Sequence, residues 1–351
     1  MNRRQFIQDT AVGLAAVSLP SFGNNTALTR MGIVVHSYAI RGNPKVESKK
    51  YPGFQDALGL IEHCHSIGAG GVQTVVKDWP IDFAKKVRER CEKLEMYLEG
   101  SIGLPNKAGD MATFENEVKN AKEAGIQILR TACLSGRRYE TFKTAQAFEE
   151  FKRNKIQALQ WVAPILHKHQ IKLAVENHKD WYAAELVEML KQLGSEWIGA
   201  TLDFGNNISL LEEPMQVVQT LAPYLISTHI KDMAVAEYED GFLLSEVPLG
   251  QGILDIPQMI AICQQYNPKV RFNLEMITRD PLEIPCLTNH YWATSEATGL
   301  QLAQTLQRVK KYRFPTALPR ISPLPLEERL ATEEANIVAC IEYGRKKLGF
   351  S

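Results

Sequence analysis

From about residue 30 onward, short β-like runs alternate with amphipathic helical stretches, regularly enough to be counted. The runs occupy 31–36, 71–76, 95–99, 126–131, 171–176, 197–203, 225–230 and 271–277, eight in all. Between and after them, apolar residues recur at spacings of three and four over 54–67, 81–94, 112–124, 147–169, 183–193, 213–223, 256–266 and 295–312. That is the period of a helix with one buried face. Gly68, Gly125 and Gly194 stand where a helix ends and a strand follows, a place that favours a residue tolerant of left-handed backbone. Strands joined by helices lie parallel, and eight such units closing on themselves form a (β/α)8 TIM barrel, an α/β fold. The competing open, doubly wound sheet needs a glycine-rich phosphate turn after its first strand. His36-Ser37-Tyr38-Ala39 stands there instead.

The sequence therefore divides into residues 1–27, a barrel over 28–314, and a C-terminal extension over 315–351. The extension opens with a proline-rich stretch and continues into a helix at about 326–347, expected to pack outside the barrel. In the first segment Asn2-Arg3-Arg4-Gln5-Phe6-Ile7 precedes a mildly apolar run from Thr10 to Leu19. This pattern is that of a twin-arginine export signal, read by a receptor, and implies a periplasmic enzyme. The run is too short to span a bilayer, so the mature form is expected to have no stable membrane span.

Lys plus Arg balances Asp plus Glu at 40 each, so no global field draws a polyanion, and nucleic acid is a poor partner. Six cysteines are scattered without a CxxC or any close pair, which argues against a zinc knuckle or a disulfide framework. Cys286 is singled out because it follows the eighth run.

Four of the runs end in residue types that bind metals: LAVE at Glu176, IGATLD at Asp203, LISTH at His229 and FNLE at Glu275. In a parallel barrel these side chains meet at the carboxyl ends of the strands, where active sites lie. Glu176, Asp203 and His229 are spaced as consecutive βα units. Glu275 comes later than one unit allows, which predicts an insertion, and 233–254 has a loop-like composition to supply it. Three carboxylates and one imidazole suit one divalent cation, with Mn2+ favoured and Mg2+, Co2+ or Zn2+ also fitting. Such a cation, chelating a carbonyl and its neighbouring hydroxyl, acidifies the carbon between them and stabilises an enediolate. Glu176 and Glu275, from non-adjacent strands, would flank a sugar on opposite faces, one removing the proton and the other returning it.

Over about residues 30–312 the chain resembles the xylose isomerase-like superfamily of sugar isomerases and epimerases. The resemblance rests on VENH at 175–178, LDFGN at 202–206, HIKD at 229–232, PLGQG at 248–252 and NLE at 273–275. It implies that Glu176, Asp203, His229 and Glu275 hold the metal and that Glu176 and Glu275 form the acid/base pair. It also implies that His178 and Lys231 contact substrate oxygens or the developing oxyanion. Asn206 replaces a histidine of the apurinic endonuclease branch and of several epimerases, which argues against a three-zinc site and alters the substrate contacts.

His36 at the end of the first run is a further pocket candidate, and so are Gln73, Glu99 and Arg130 at the ends of others. Asp232 is expected to orient the neighbouring lysine. The long link after the eighth run, from Thr278 and Arg279 through Asn289, His290, Tyr291 and Trp292, mixes aromatic and polar groups suited to a sugar ring. The expected activity is isomerisation or epimerisation of a free sugar or keto-sugar, a small-molecule carbohydrate substrate. A dehydratase or lyase acting on inososes or 3-keto-glycosides is the runner-up. A glycosidase using only the two glutamates and a sugar-binding protein with a degenerate site are the readings from other classes. Association into a homo-oligomer is left open.

Overall fold

A computed structural model describes residues 29–351; the proposed export signal at 1–27 lies outside the described residues. Eight parallel strands close into a barrel: β1 (Gly32–Val34), β2 (Gly71–Val75), β3 (Tyr97–Ser101), β4 (Ile128–Thr131), β5 (Lys172–Glu176), β6 (Ile198–Asp203), β7 (Leu225–Ile230) and β10 (Phe272–Leu274). Every expected run overlaps one barrel strand, although β3 extends to Ser101, two residues past the expected 95–99. The circuit closes where β1 pairs with β10 on one side and β2 on the other.

The helices are α1 (Ala57–Ser66), α2 (Ile81–Lys93), α3 (Met111–Glu123), α4 (Arg138–Thr141), α5 (Ala145–His169), α6 (Ala183–Leu193), α7 (Pro214–Leu221), α8 (Ile256–Tyr266), α9 (Asn289–Trp292), α10 (Gly299–Lys311) and α11 (Leu326–Tyr343). Local chemistry sets their ends. Asp56 and Thr144 accept from the backbone N–H groups of Gly59 and Ala147, satisfying donors that a first helical turn leaves free. Gly68, Gly125 and Gly194 all have positive φ at the ends of α1, α3 and α6, as their placement predicts. Among the described residues no helix is long and apolar enough to cross a membrane.

Two parts of the fold differ from expectation. Segment 233–254 is not simply a loop: β8 (Asp232–Tyr238) and β9 (Gly241–Val247) form a hairpin, and β11 (Leu282–Ile284) adds a third antiparallel strand to β9. Only Lys231 separates β7 from β8, so one extended ribbon leaves the barrel and becomes the hairpin. α10, expected as the eighth barrel helix, covers this small sheet, with Val309 packed among Phe242, Leu244 and Ile284. The C-terminal helix α11 joins the main core in its place. Its Ile337, Cys340 and Ile341 pack there together with Phe350, and Phe350 meets the ring of Phe272 edge to face at 5.6 Å.

Candidate active site at the carboxyl ends of the strands

Glu176 and Asp203 are the last residues of β5 and β6, His229 the penultimate residue of β7, and Glu275 the first beyond β10. All four are buried. One donor atom from each lies within 4.8 Å of the others. His229 Nδ1 stands 3.4 Å from Glu275 Oε1, 3.5 Å from Glu176 Oε1 and 4.0 Å from Asp203 Oδ2. Ligands of one small divalent ion, each about 2.0–2.2 Å from it, lie about 3–3.5 Å apart, so the set needs little rearrangement to hold one.

The imidazole is set up for that role from behind. His229 Nε2 lies 2.8 Å from Gln73 Oε1, and the Gln73 amide donates to Glu99 Oε2 at 3.1 Å. The carbonyl of Gln73 can only accept, so Nε2 carries a proton and Nδ1 is the nitrogen turned toward the carboxylates and open to a cation. That Nδ1 is buried and has no hydrogen-bond partner, the state of a ligand atom facing a cation. Glu99 also accepts from Ser227 Oγ at 2.7 Å and Asn273 Nδ2 at 3.0 Å. Gln73 and Glu99 do not line the cavity as pocket residues; they lie beneath the site and orient His229.

Basic groups balance the carboxylates. Burial alone would raise Glu176 and Glu275, but Arg130 and His229 hold Glu176, and Lys231 and His229 hold Glu275, well below the usual carboxylate range. Arg130 Nε donates to Glu176 Oε2 at 2.5 Å. Lys231 Nζ lies 2.5 Å from Glu275 Oε2 and 2.7 Å from Asp203 Oδ2. The other Asp203 oxygen accepts from the N–H groups of Gly205 and Asn206 at 2.9 and 2.7 Å, which fixes the carboxylate through its own turn.

Asn206 bridges the acidic and basic halves. Its amide donates to Glu176 Oε1 at 3.1 Å, and its carbonyl accepts from Lys179 and, at 3.4 Å, from Lys231. Lys179 escaped sequence reasoning, although the Lys179-Asp180 pair echoes Lys231-Asp232 and is a signal that could have found it. Burial pushes the Lys179 ammonium down to about 8, with Lys231 and Arg279 adding to the shift.

A cavity of about 760 Å³ opens over this cluster, lined by His36, Arg130, His178, Glu275 and Arg279 among others. His36 Nδ1 lies 3.6 Å from Glu275 Oε1, and its side chain is 42% exposed. His178 Nδ1 donates to the Leu134 carbonyl at 2.9 Å, leaving a lone pair on Nε2, and burial pushes its imidazole down to about 3. Arg279 pairs with Glu246 of the hairpin, a second residue that sequence reasoning missed. Lys231 and Asn206 lie below the cavity floor.

Further expectations need correction. Asp232 does not orient Lys231; its carboxylate accepts from the N–H groups of Met233, Gly250, Gly252 and Leu254, anchoring the PLGQG loop. Tyr291 and Trp292 do not face a sugar ring but pack in the small core under the hairpin, and Tyr291 donates to the Ser209 carbonyl. Cys286 is buried in the same core, and burial pushes its thiol up to about 11. All six cysteines are buried and free.

A family model described as xylose isomerase-like TIM barrel matches residues 61–302. The chain is 28% identical over 230 residues to 3-oxo-isoapionate decarboxylase of Pectobacterium atrosepticum, covering 64% of this chain and 78% of that protein. Among solved structures, a xylose isomerase-like TIM barrel protein from Mycobacterium smegmatis in complex with magnesium superposes with a TM-score of 0.55 at 14% identity. That match covers 79% of this chain and 98% of the other. The 3-keto-D-glucoside 4-epimerase YcjR of Escherichia coli gives a TM-score of 0.53 at 12% identity, over 81% and 99% of the two chains.

Proposed function

The chain belongs to the xylose isomerase-like TIM barrel family, and from that premise we propose that it is a divalent-metal-dependent isomerase or epimerase of a keto-sugar. The observation that carries this reading is His229 Nδ1, buried without a hydrogen bond and turned toward one oxygen from each of three carboxylates. Glu176, Asp203, His229 and Glu275 would hold the cation, with Mn2+ favoured by the oxygen-rich set. When bound, it supplies positive charge beside the substrate carbonyl, which acidifies the neighbouring C–H bond.

Glu275 lines the cavity and is kept ionised by Lys231, so it is placed to take the proton from substrate. Glu176, ionised against Arg130, faces the same cluster from β5 and is assigned the second acid/base position. His178, neutral through burial and with its Nε2 lone pair free, would accept a hydrogen bond from a substrate hydroxyl. Lys231, beneath the cavity floor, favours the ionised forms of Asp203 and Glu275. An export signal at 1–27 would place the enzyme in the periplasm.

A second reading keeps the proton abstraction but lets the enediolate break a further bond, giving a lyase on inososes or 3-keto-glycosides. The decarboxylase relative, whose name implies cleavage of a bond to carbon, favours it. Metal analysis, followed by deuterium uptake from solvent over ketoses, inososes and 3-keto-glycosides, tests both. Label at one carbon of a recovered sugar supports the first reading, and release of aglycone or water supports the second. Full activity after exhaustive chelation would refute both.

A further inference from the structure

The outer wall of the cavity is built by a segment beyond the matched family region. Ile321, Ser322 and Arg329 line it together with His36 and Arg279 from the barrel loops, whereas the family match ends at residue 302. Three arginines line this cavity, and two have carboxylates of their own: Arg130 has Glu176 and Arg279 has Glu246. Arg329 has none. Its Nε is buried without a hydrogen bond, and it forms no ion pair among the described residues.

The nearby acids are already committed. Asp280 accepts from the N–H groups of Ile321 and Ser322 and from Ser322 Oγ. Glu333, one helical turn further along α11, accepts from the N–H groups of Ile40 and Arg41. Glu275 is held by Lys231. Removing part of a guanidinium from water without a counter-charge is unfavourable, and a planar fork of donors matches an anionic group.

We propose that Arg329 binds an anionic group carried by the substrate, so that the keto-sugar turned over here bears a carboxylate or a phosphate at the end remote from the carboxylate cluster. This rests on the reading of the site as a keto-sugar site, and it adds a specificity residue from outside the matched family region. The arginine is held in place for the task. α11 is pinned to the loop after β1 by Glu333 and by Glu334, which pairs with Arg41 and His63.

The test is calorimetric titration of the full, metal-loaded chain and its R329Q and R329K variants with D-fructose, 2-keto-D-gluconate and D-fructose 6-phosphate. The wild type should bind at least one anionic sugar about tenfold or more tighter than fructose, the scale of one charge-assisted contact. R329Q should lose that preference with fructose affinity and metal content unchanged, and R329K should keep part of it. Whichever anionic sugar shows the preference identifies the group as carboxylate or phosphate. Equal binding of all three sugars, binding of none, or a preference that survives in R329Q overturns the proposal. If R329Q keeps the preference while metal and solvent exchange are intact, the anion site alone fails. If the wild type holds no metal and exchanges no proton, the keto-sugar reading fails instead.

Discussion

Gln73 decides which nitrogen of His229 faces the carboxylates. Its amide is itself fixed by Glu99, so a chain of two hydrogen bonds runs from a buried acid to the imidazole. Burial pushes Glu99 up, against the opposing pull of Ser227 and Gln73. Replacing Gln73 by Leu removes the acceptor and leaves a buried N–H without a partner, at a cost of about 1–3 kcal/mol. Manganese affinity should fall about 10–100-fold, as when an outer-shell partner of a metal-bound histidine is lost. Competition with a chelating dye and urea unfolding measure the two effects; unchanged manganese affinity would show that Gln73 does not set the tautomer.

The hairpin β8–β9 is the element that most alters the mouth of the barrel. It brings Glu246 to Arg279, and the loop that follows it is gathered onto Asp232. Gly252 lies so close to that carboxylate that a Cβ there would press into Asp232 Oδ1 and sit 2.5 Å from the Met233 carbonyl oxygen. Gly252→Ala should therefore destabilise the protein by about 1–3 kcal/mol, read as a lower urea midpoint with an unchanged slope. This element was only half legible in the sequence. The barrel strands announce themselves by apolar runs ending in Glu176, Asp203, His229 and Glu275, because the carboxyl end of each strand is also the end of its buried run. The hairpin was hidden because β8 continues β7 across Lys231 alone, with no turn residue to mark the join. Asp240-Gly241 between two β-rich runs is the one local mark of its turn. Glu246 and Arg329 reach the site from distant segments, and no periodicity links such segments to it.

At the scale of the molecule, α11 runs down the outside of the barrel from the cavity to its base. At the upper end Glu333 accepts from the backbone N–H groups of Ile40 and Arg41 at 2.7 and 3.0 Å. At the lower end Gly344 approaches Met31, and Phe350 packs on Phe272. Burial pushes Glu333 up to about 7, against the pull of those two N–H groups. A carboxyl whose folded value is raised binds more protons when folded than when unfolded. Its contribution to stability is complete below about pH 4.5 and is lost as pH rises toward 7. The stability of the wild type relative to Glu333→Gln should decline across that window, by on the order of 2 kcal/mol. Urea midpoints of both proteins at pH 5 and pH 8 measure it, and a gap that widens with pH would contradict the assignment. The sequence revealed a helix at this position but not that it takes the eighth place around the barrel, because its partners in the core are the strands that open and close the circuit.

The guest chamber thus has its floor and its outer wall written in different stretches of polypeptide. The floor comes from strand ends locked by barrel closure, and the wall from a tail clasped at both ends. Residues of that wall can be exchanged without disturbing the strand ends beneath it.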